Sequence, residues 1–83
     1  MEKRKKEIMS ITKYKNLSNS SNVDWFEIGE EFLRVKFFNT SKIYQYSYRG
    51  KAGKKDVDII KSLAVNGMGL NSYILKYLKE KYD

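Results

Sequence analysis

Three tyrosines stand at every second position, Tyr44, Tyr46 and Tyr48, and lead into a basic, glycine-containing stretch that carries Arg49, Lys51, Lys54 and Lys55. In a β-strand that spacing puts all three rings on one face. Rings aligned in this way can stack on a planar ligand, and the cations behind them can neutralise phosphate. Gly50 and Gly53 allow close backbone approach to an anion ahead of a helix N-terminus, although the segment lacks the fixed spacing of a P-loop. The same residues also have a plainer reading, as the inner side of a half-buried strand followed by a solvated connector.

Catalytic chemistry finds little to work with. The chain has no cysteine and no histidine, so thiolate and imidazole metal sites, disulfides and a neutral-pH imidazole base are excluded. Asp56 and Asp58 sit two apart at a predicted helix start, where carboxylates favour the positive end of the helix dipole, and capping accounts for both. No residue is nominated as catalytic or as a metal ligand, and no cofactor is expected.

The elements that must position these groups follow from the hydrophobic pattern. "NVDWFEIG" reads as a strand ending at a glycine turn, and "FLRVKFF" alternates with Leu33, Val35 and Phe37 on one side and Arg34 and Lys36 on the other. "KIYQYSY" is the return strand. With Thr40 and Ser41 as a two-residue turn, Phe37 lies opposite Tyr44, Val35 opposite Tyr46 and Leu33 opposite Tyr48, so the tyrosines share the apolar face. Ile43, Gln45 and Ser47 then join Arg34 and Lys36 on the outer face, where these two cations complete the candidate ligand-binding set.

Asp56 at an N-cap, Val57, Ile60, Leu63 and Ala64 at helical spacing, and Gly67 just past the end predict one helix. Leu70, Ile74, Tyr77, Leu78 and Tyr82 predict a second that runs to the end of the chain. The expected fold is a small α+β domain of order β-β-β-α-α: an antiparallel three-stranded sheet with two C-terminal helices on one face. A fourth strand is added if "IMSITKY", residues 8 to 14, pairs at the edge. "NLSNSSN" is a turn-forming polar run that divides a basic tail, residues 1–19, from a domain over residues 20–83.

Eighty-three residues with a formal charge of +7 describe one small domain with an anion-attracting field. The charges are segregated: Lys3 to Lys6 are all basic, Asp24 to Glu31 hold four acids and no base, and Lys42 to Lys55 hold five bases and no acid. That bipolar pattern suits pairing between neighbouring strands or between copies of the chain. No apolar run has the length of a signal peptide or a membrane span, so a cytoplasmic location with no membrane partner is expected.

The segments "SSNVDWFEIG", "LRVKFFNTSKIYQY" and "NGMGLNSYI" resemble the KTSC domain, named for its occurrence at the C-terminus of some lysyl-tRNA synthetases and also found free-standing. The likeness spans roughly residues 20 to 82. The family's Y-x-Y motif matches Tyr44-Gln45-Tyr46, its glycine and asparagine four apart match Gly67 and Asn71, and an isoleucine three further on matches Ile74. The usual G-V-P after the tyrosines is replaced by "YRGKAGKK", and the small residues the family has before the late glycine are replaced by Leu63 and Val65. The resemblance adds Asn71 to the candidate site; the family has no established activity, and RNA binding has been suggested for it.

These features together lead to the expectation of a non-catalytic module that binds a small nucleotide-type anion and acts as a homo-oligomer, in the manner of a phage protein that sequesters a host signalling nucleotide. RNA binding is the alternative, and a protein-directed inhibitor or scaffold is a third. No readout of DNA sequence is expected.

Overall fold

The strict alternation of Phe32–Phe37 makes it the central strand of the sheet. In the computed structural model, which describes residues 11–83, Leu33 and Val35 are fully buried while Arg34 and Lys36 point to the other side. The strands are β1 (Ile11–Lys13), β2 (Val23–Ile28), β3 (Phe32–Phe37) and β4 (Ile43–Ser47), followed by helices α1 (Gly53–Asn66) and α2 (Leu70–Tyr77). They form one antiparallel sheet in sequence order, with the helices on one face. The optional edge strand therefore exists, over Ile11–Lys13, and the order is β-β-β-β-α-α. Residues 8 to 10 of the expected strand lie outside the described residues.

A bulge at Asp24 explains how β2 buries Val23 and Phe26, three residues apart, against the same core. The extra residue rotates Val23 inward, whereas strict alternation would have put it beside Trp25 on the outer face. Gly29 then turns the chain, its N–H donating to the carbonyl of Phe32 at 2.9 Å. A Cβ there would collide with the Phe32 ring.

The β3–β4 register differs from the expected one. Val35 lies opposite Tyr44 and Leu33 opposite Tyr46, and the last pair before the loop is Lys36 with Ile43. The two-residue turn is replaced by a five-residue connection, Phe38 to Lys42, while Phe37 continues β3 against Val23 of β2 and the Phe38 N–H donates to the Asn22 carbonyl at 2.9 Å. A shift of two residues keeps every side chain on its predicted face, since the side-chain period is two. Tyr46 is accordingly buried and central, with Tyr44 and Tyr48 half-buried on either side of it.

Both helices depart from their expected ends. α1 begins at Gly53, three residues before Asp56, so Asp56 lies in its first turn and does not cap it. Gly67 closes α1 as expected, in the left-handed region at φ 80, its N–H donating to the Leu63 carbonyl at 3.0 Å. Gly67→Ala should cost about 1–2 kcal/mol in urea unfolding, since its Cβ meets both a disfavoured backbone conformation and the Lys15 side chain. An unchanged midpoint would contradict that geometry.

α2 stops at Tyr77, and Leu78, fully buried, ends it. The expected continuation to Asp83 is abandoned because the last residues reach the free edge of β4. The Asp83 N–H donates to the Gln45 carbonyl at 2.7 Å, and the Gln45 amide donates back to the Asp83 carboxylate at 2.9 Å. An edge carbonyl that the ladder leaves unpaired is thereby satisfied.

The core gathers Val23, Phe26, Leu33, Val35 and Tyr46 from the sheet against Val57, Ile60, Ala64, Leu70, Ile74 and Leu78 from the helical layer. It also takes in Tyr14 from the amino-terminal side of the polar run, and the Tyr14 hydroxyl accepts a bond from the Leu70 N–H at 3.3 Å. That bond meets one of the orphan donors at the start of α2, whose N-cap is Gly69 and has no side chain to offer. The polar run forms a turn, with Asn16 and Asn19 at positive φ and the Asn16 side chain bonded to the backbone of Ser21. Among the described residues no helix is long and apolar enough to cross a membrane.

Candidate ligand-binding cleft

Because β4 turns Tyr44 and Tyr46 toward the helices, the row of tyrosines walls a space between layers and does not form an open platform. A cleft of about 500 Å³ opens between the β3–β4 connection, α2 and the C-terminal segment. Its aromatic wall is a chain of edge-to-face contacts: Phe37 to Tyr44 with centroids 5.7 Å apart, and Tyr44 to Tyr82 at 4.9 Å. The Lys42 ammonium sits over both tyrosine rings, 5.4 and 5.9 Å from their centroids. Lys79 and Glu80 line the cleft from the segment after α2.

The polar groups in the cleft have spare bonding capacity. Asn22 and Asn39 bond to each other at 2.9 Å, which spends one donor and one acceptor and leaves one carbonyl oxygen and one amide nitrogen for a ligand, whichever of the two donates. Asn71 reaches the cleft from the first turn of α2, and among the described residues its side chain has no hydrogen-bond partner. The same holds for the hydroxyls of Tyr44, Tyr46 and Tyr82. Burial, followed by the nearness of Tyr44 and Tyr82, pushes the Tyr46 hydroxyl up to about 12, so it remains a protonated donor at neutral pH.

Three of the ten sequence candidates, Tyr44, Tyr46 and Asn71, thus meet in the cleft. Tyr48 and Lys54 belong to a second cluster at the other end of β4. The Tyr48 hydroxyl donates to Asp58 at 2.6 Å, the Lys54 ammonium donates to the same carboxylate at 2.8 Å, and Lys54 and Lys61 flank the Tyr48 ring at 5.1 and 4.9 Å. Arg49 is exposed and lies 3.9 Å from Glu31, while Lys51 and Lys55 are exposed on the connector and the start of α1. Arg34 and Lys36 lie on the opposite face of the sheet, paired with Glu27 and Asp24.

The reading of Asp56 and Asp58 as caps is corrected by this geometry. Asp56 accepts the Tyr73 hydroxyl at 2.8 Å and Asp58 accepts the Tyr48 hydroxyl, so both carboxylates tie α1 to aromatic rings. Lys54 first, and then Tyr48, hold the Asp58 carboxyl below the usual carboxylate range. Lys54→Gln should therefore raise the Asp58 titration more than Tyr48→Phe does, as read from carboxyl carbon shifts by NMR. Equal and negligible shifts would remove this cluster from the account.

Comparison with protein-family models, curated proteins and solved structures finds no match. The chemistry of the cleft is therefore read from its own residues.

Several of these were not legible as site residues in the sequence. Asn22 and Asn39 carry the signature of turns, and Tyr82 falls on the apolar stripe of a helix that ends before reaching it. The one available signal was the spread of aromatic residues, since Phe37, Tyr44 and Tyr82 are more than a core of this size encloses, and all three remain partly exposed.

Proposed function

We propose that the cleft binds a small nucleotide-type anion, without catalysis, and that the protein works as a cytoplasmic homo-oligomer that sequesters such a ligand. The observation that carries this reading is Tyr46, a buried residue that lines the cleft and whose hydroxyl has no partner among the described residues. A buried polar group left unmatched costs roughly 1–3 kcal/mol, and a ligand that supplies its partner recovers that.

The remaining groups fit the same ligand class. Tyr44 and Tyr82 offer ring surface to a base, the asparagine amides offer one donor and one acceptor to its edge, and Lys79 in the lining with Lys42 over the tyrosine rings supplies cations for a phosphate. The KTSC resemblance is part of this proposal: of the residues that carry it, Tyr44, Tyr46, Asn71 and Ile74 line the cleft, and Gly67 closes α1 outside it. A host signalling nucleotide captured by a phage protein is the ligand source we favour.

Calorimetric titration of the full chain with a panel of mono-, di- and cyclic nucleotides and with a short RNA, at two ionic strengths, tests the reading. Saturable nucleotide binding with a shallow salt dependence is expected, because the ligand carries few phosphates and is partly enclosed. Tight RNA binding with a log–log salt slope near −0.7 per phosphate contact, and no heat from any nucleotide, would replace it with the RNA reading.

A further inference from the structure

The helices cover only one side of the sheet. The other side carries two rows that run straight across the four strands: Lys13, Trp25, Lys36 and Ile43, and beside them Ile11, Glu27, Arg34 and Gln45. Ile11, Ile43 and the adjoining Phe38 are each more than half exposed, at 62, 51 and 54%. Trp25 lies half-buried between the two lysines of its row. Large apolar groups on an uncovered sheet face mark a contact surface.

Charge identifies the occupant. Among the described residues this face holds three cations and two carboxylates, and each cation has a carboxylate of its own chain beside it: Lys13 and Asp24 at 2.9 Å, Arg34 and Glu27 at 3.2 Å, and Lys36 and Asp24 at 3.9 Å. It is thus nearly neutral in a chain of formal charge +7. A nucleic acid is gripped by cations free to replace condensed counterions, which this face does not offer. A second copy of a basic chain needs the reverse, a surface that is apolar and close to self-neutral.

We propose that two copies of this chain pack through the open faces of their sheets about a twofold axis, with Ile43 and Trp25 in the contact and each copy's Arg34 facing Glu27 of the other. This names the surface of the homo-oligomer proposed above and rests on that assembly, not on the identity of the cleft ligand. An isologous contact suits the face because opposite charges adjacent on one copy become complementary when the face meets itself. With strands about 4.8 Å apart and about 3.3 Å per residue, the face measures roughly 15 by 20 Å. That is less than the ~800 Å² per partner of a standard interface, so the dimer dissociates on dilution.

Sedimentation velocity of the full chain, over about two decades of concentration spanning the micromolar range, tests this. The wild type should pass from monomer to dimer, and Ile43→Glu should remain monomeric throughout while keeping its thermal midpoint and its nucleotide heat. Arg34→Glu and Glu27→Arg should each dimerise more weakly alone, and their mixture should recover a one-to-one dimer. Dimers that Ile43→Glu and the charge exchanges leave unchanged would overturn the proposed surface while sparing the oligomer. A wild type that stays monomeric would overturn both, and a monomer whose short-RNA binding is lost in Ile43→Glu would assign the face to RNA. Nucleotide calorimetry on the same samples reports the cleft separately.

Discussion

Tyr46→Ala is expected to lower the stability of the fold by roughly 3–5 kcal/mol, the range for truncating a large buried aromatic side chain. Tyr46 is 1% exposed and lies opposite Leu33 on the edge strand β4, and its ring packs in the same core as both helices. Removing it leaves a cavity bordered by two layers that cannot collapse together without breaking the β3–β4 register. Urea unfolding is the measurement, and a loss below about 1 kcal/mol would mean that the ring is not a core residue.

The hydroxyl of Tyr46 adds a pH dependence with a definite sign. Its folded value lies near 12 against 10.0 when unperturbed, so the folded state holds the proton more tightly. The associated stability is complete below pH 10 and is lost as pH rises through 12, amounting to about 2–3 kcal/mol. Tyr48 and Tyr73 are also raised, each chiefly by donating to a carboxylate, and they act in the same direction. Tyr46→Phe should therefore flatten the alkaline limb of the stability curve without abolishing it.

The second large effect concerns Tyr82. Tyr82→Ala should weaken nucleotide binding by roughly 1–3 kcal/mol, about 5- to 150-fold, which is the range for loss of one base-stacking ring. Tyr82 packs edge-to-face on Tyr44 from a segment held to β4 by two bonds between Asp83 and Gln45, so its removal opens one wall of the cleft and leaves the sheet paired. Its stability loss should be smaller than that of Tyr46→Ala. Arg49, Lys51 and Lys55 changed together to glutamine should alter affinity by less than about threefold, because these residues do not line the cleft and act on the ligand only through a screened field. An affinity that falls with the connector lysines and ignores Tyr82 would move the site to the basic loop.

The faces of β3 and β4 could be read from sequence because alternation is a local property. Leu33 and Val35 declare the inner side, and no shift by an even number of residues can reverse it. The register itself could not be read, since it depends on the length of the connection from Phe38 to Lys42, whose first residue is held to β2 by the bond from the Phe38 N–H to the Asn22 carbonyl. The end of α2 was hidden for a similar reason. Leu78 and Tyr82 continue the helical stripe, but the carbonyl of Gln45 offers Asp83 a better partner, and that competition is tertiary. The cleft depends on both features: Tyr44, Tyr46 and Asn71 were accessible as candidates, whereas Asn22, Asn39 and Tyr82 become site residues only when the connection and the C-terminal segment close around them.

The central claim is that a small nucleotide-type anion occupies the cleft between β4, α2 and the C-terminal segment. Its most direct test is an NMR titration of the full chain with the nucleotide panel, following the side-chain amides of Asn22, Asn39 and Asn71, the ring of Tyr82 and the indole of Trp25. Saturable shifts are expected at the three amides and at Tyr82, with the Trp25 indole, on the far face of the sheet, unmoved. Amides that stay fixed under every nucleotide, while RNA shifts Trp25 and the connector lysines, would contradict it.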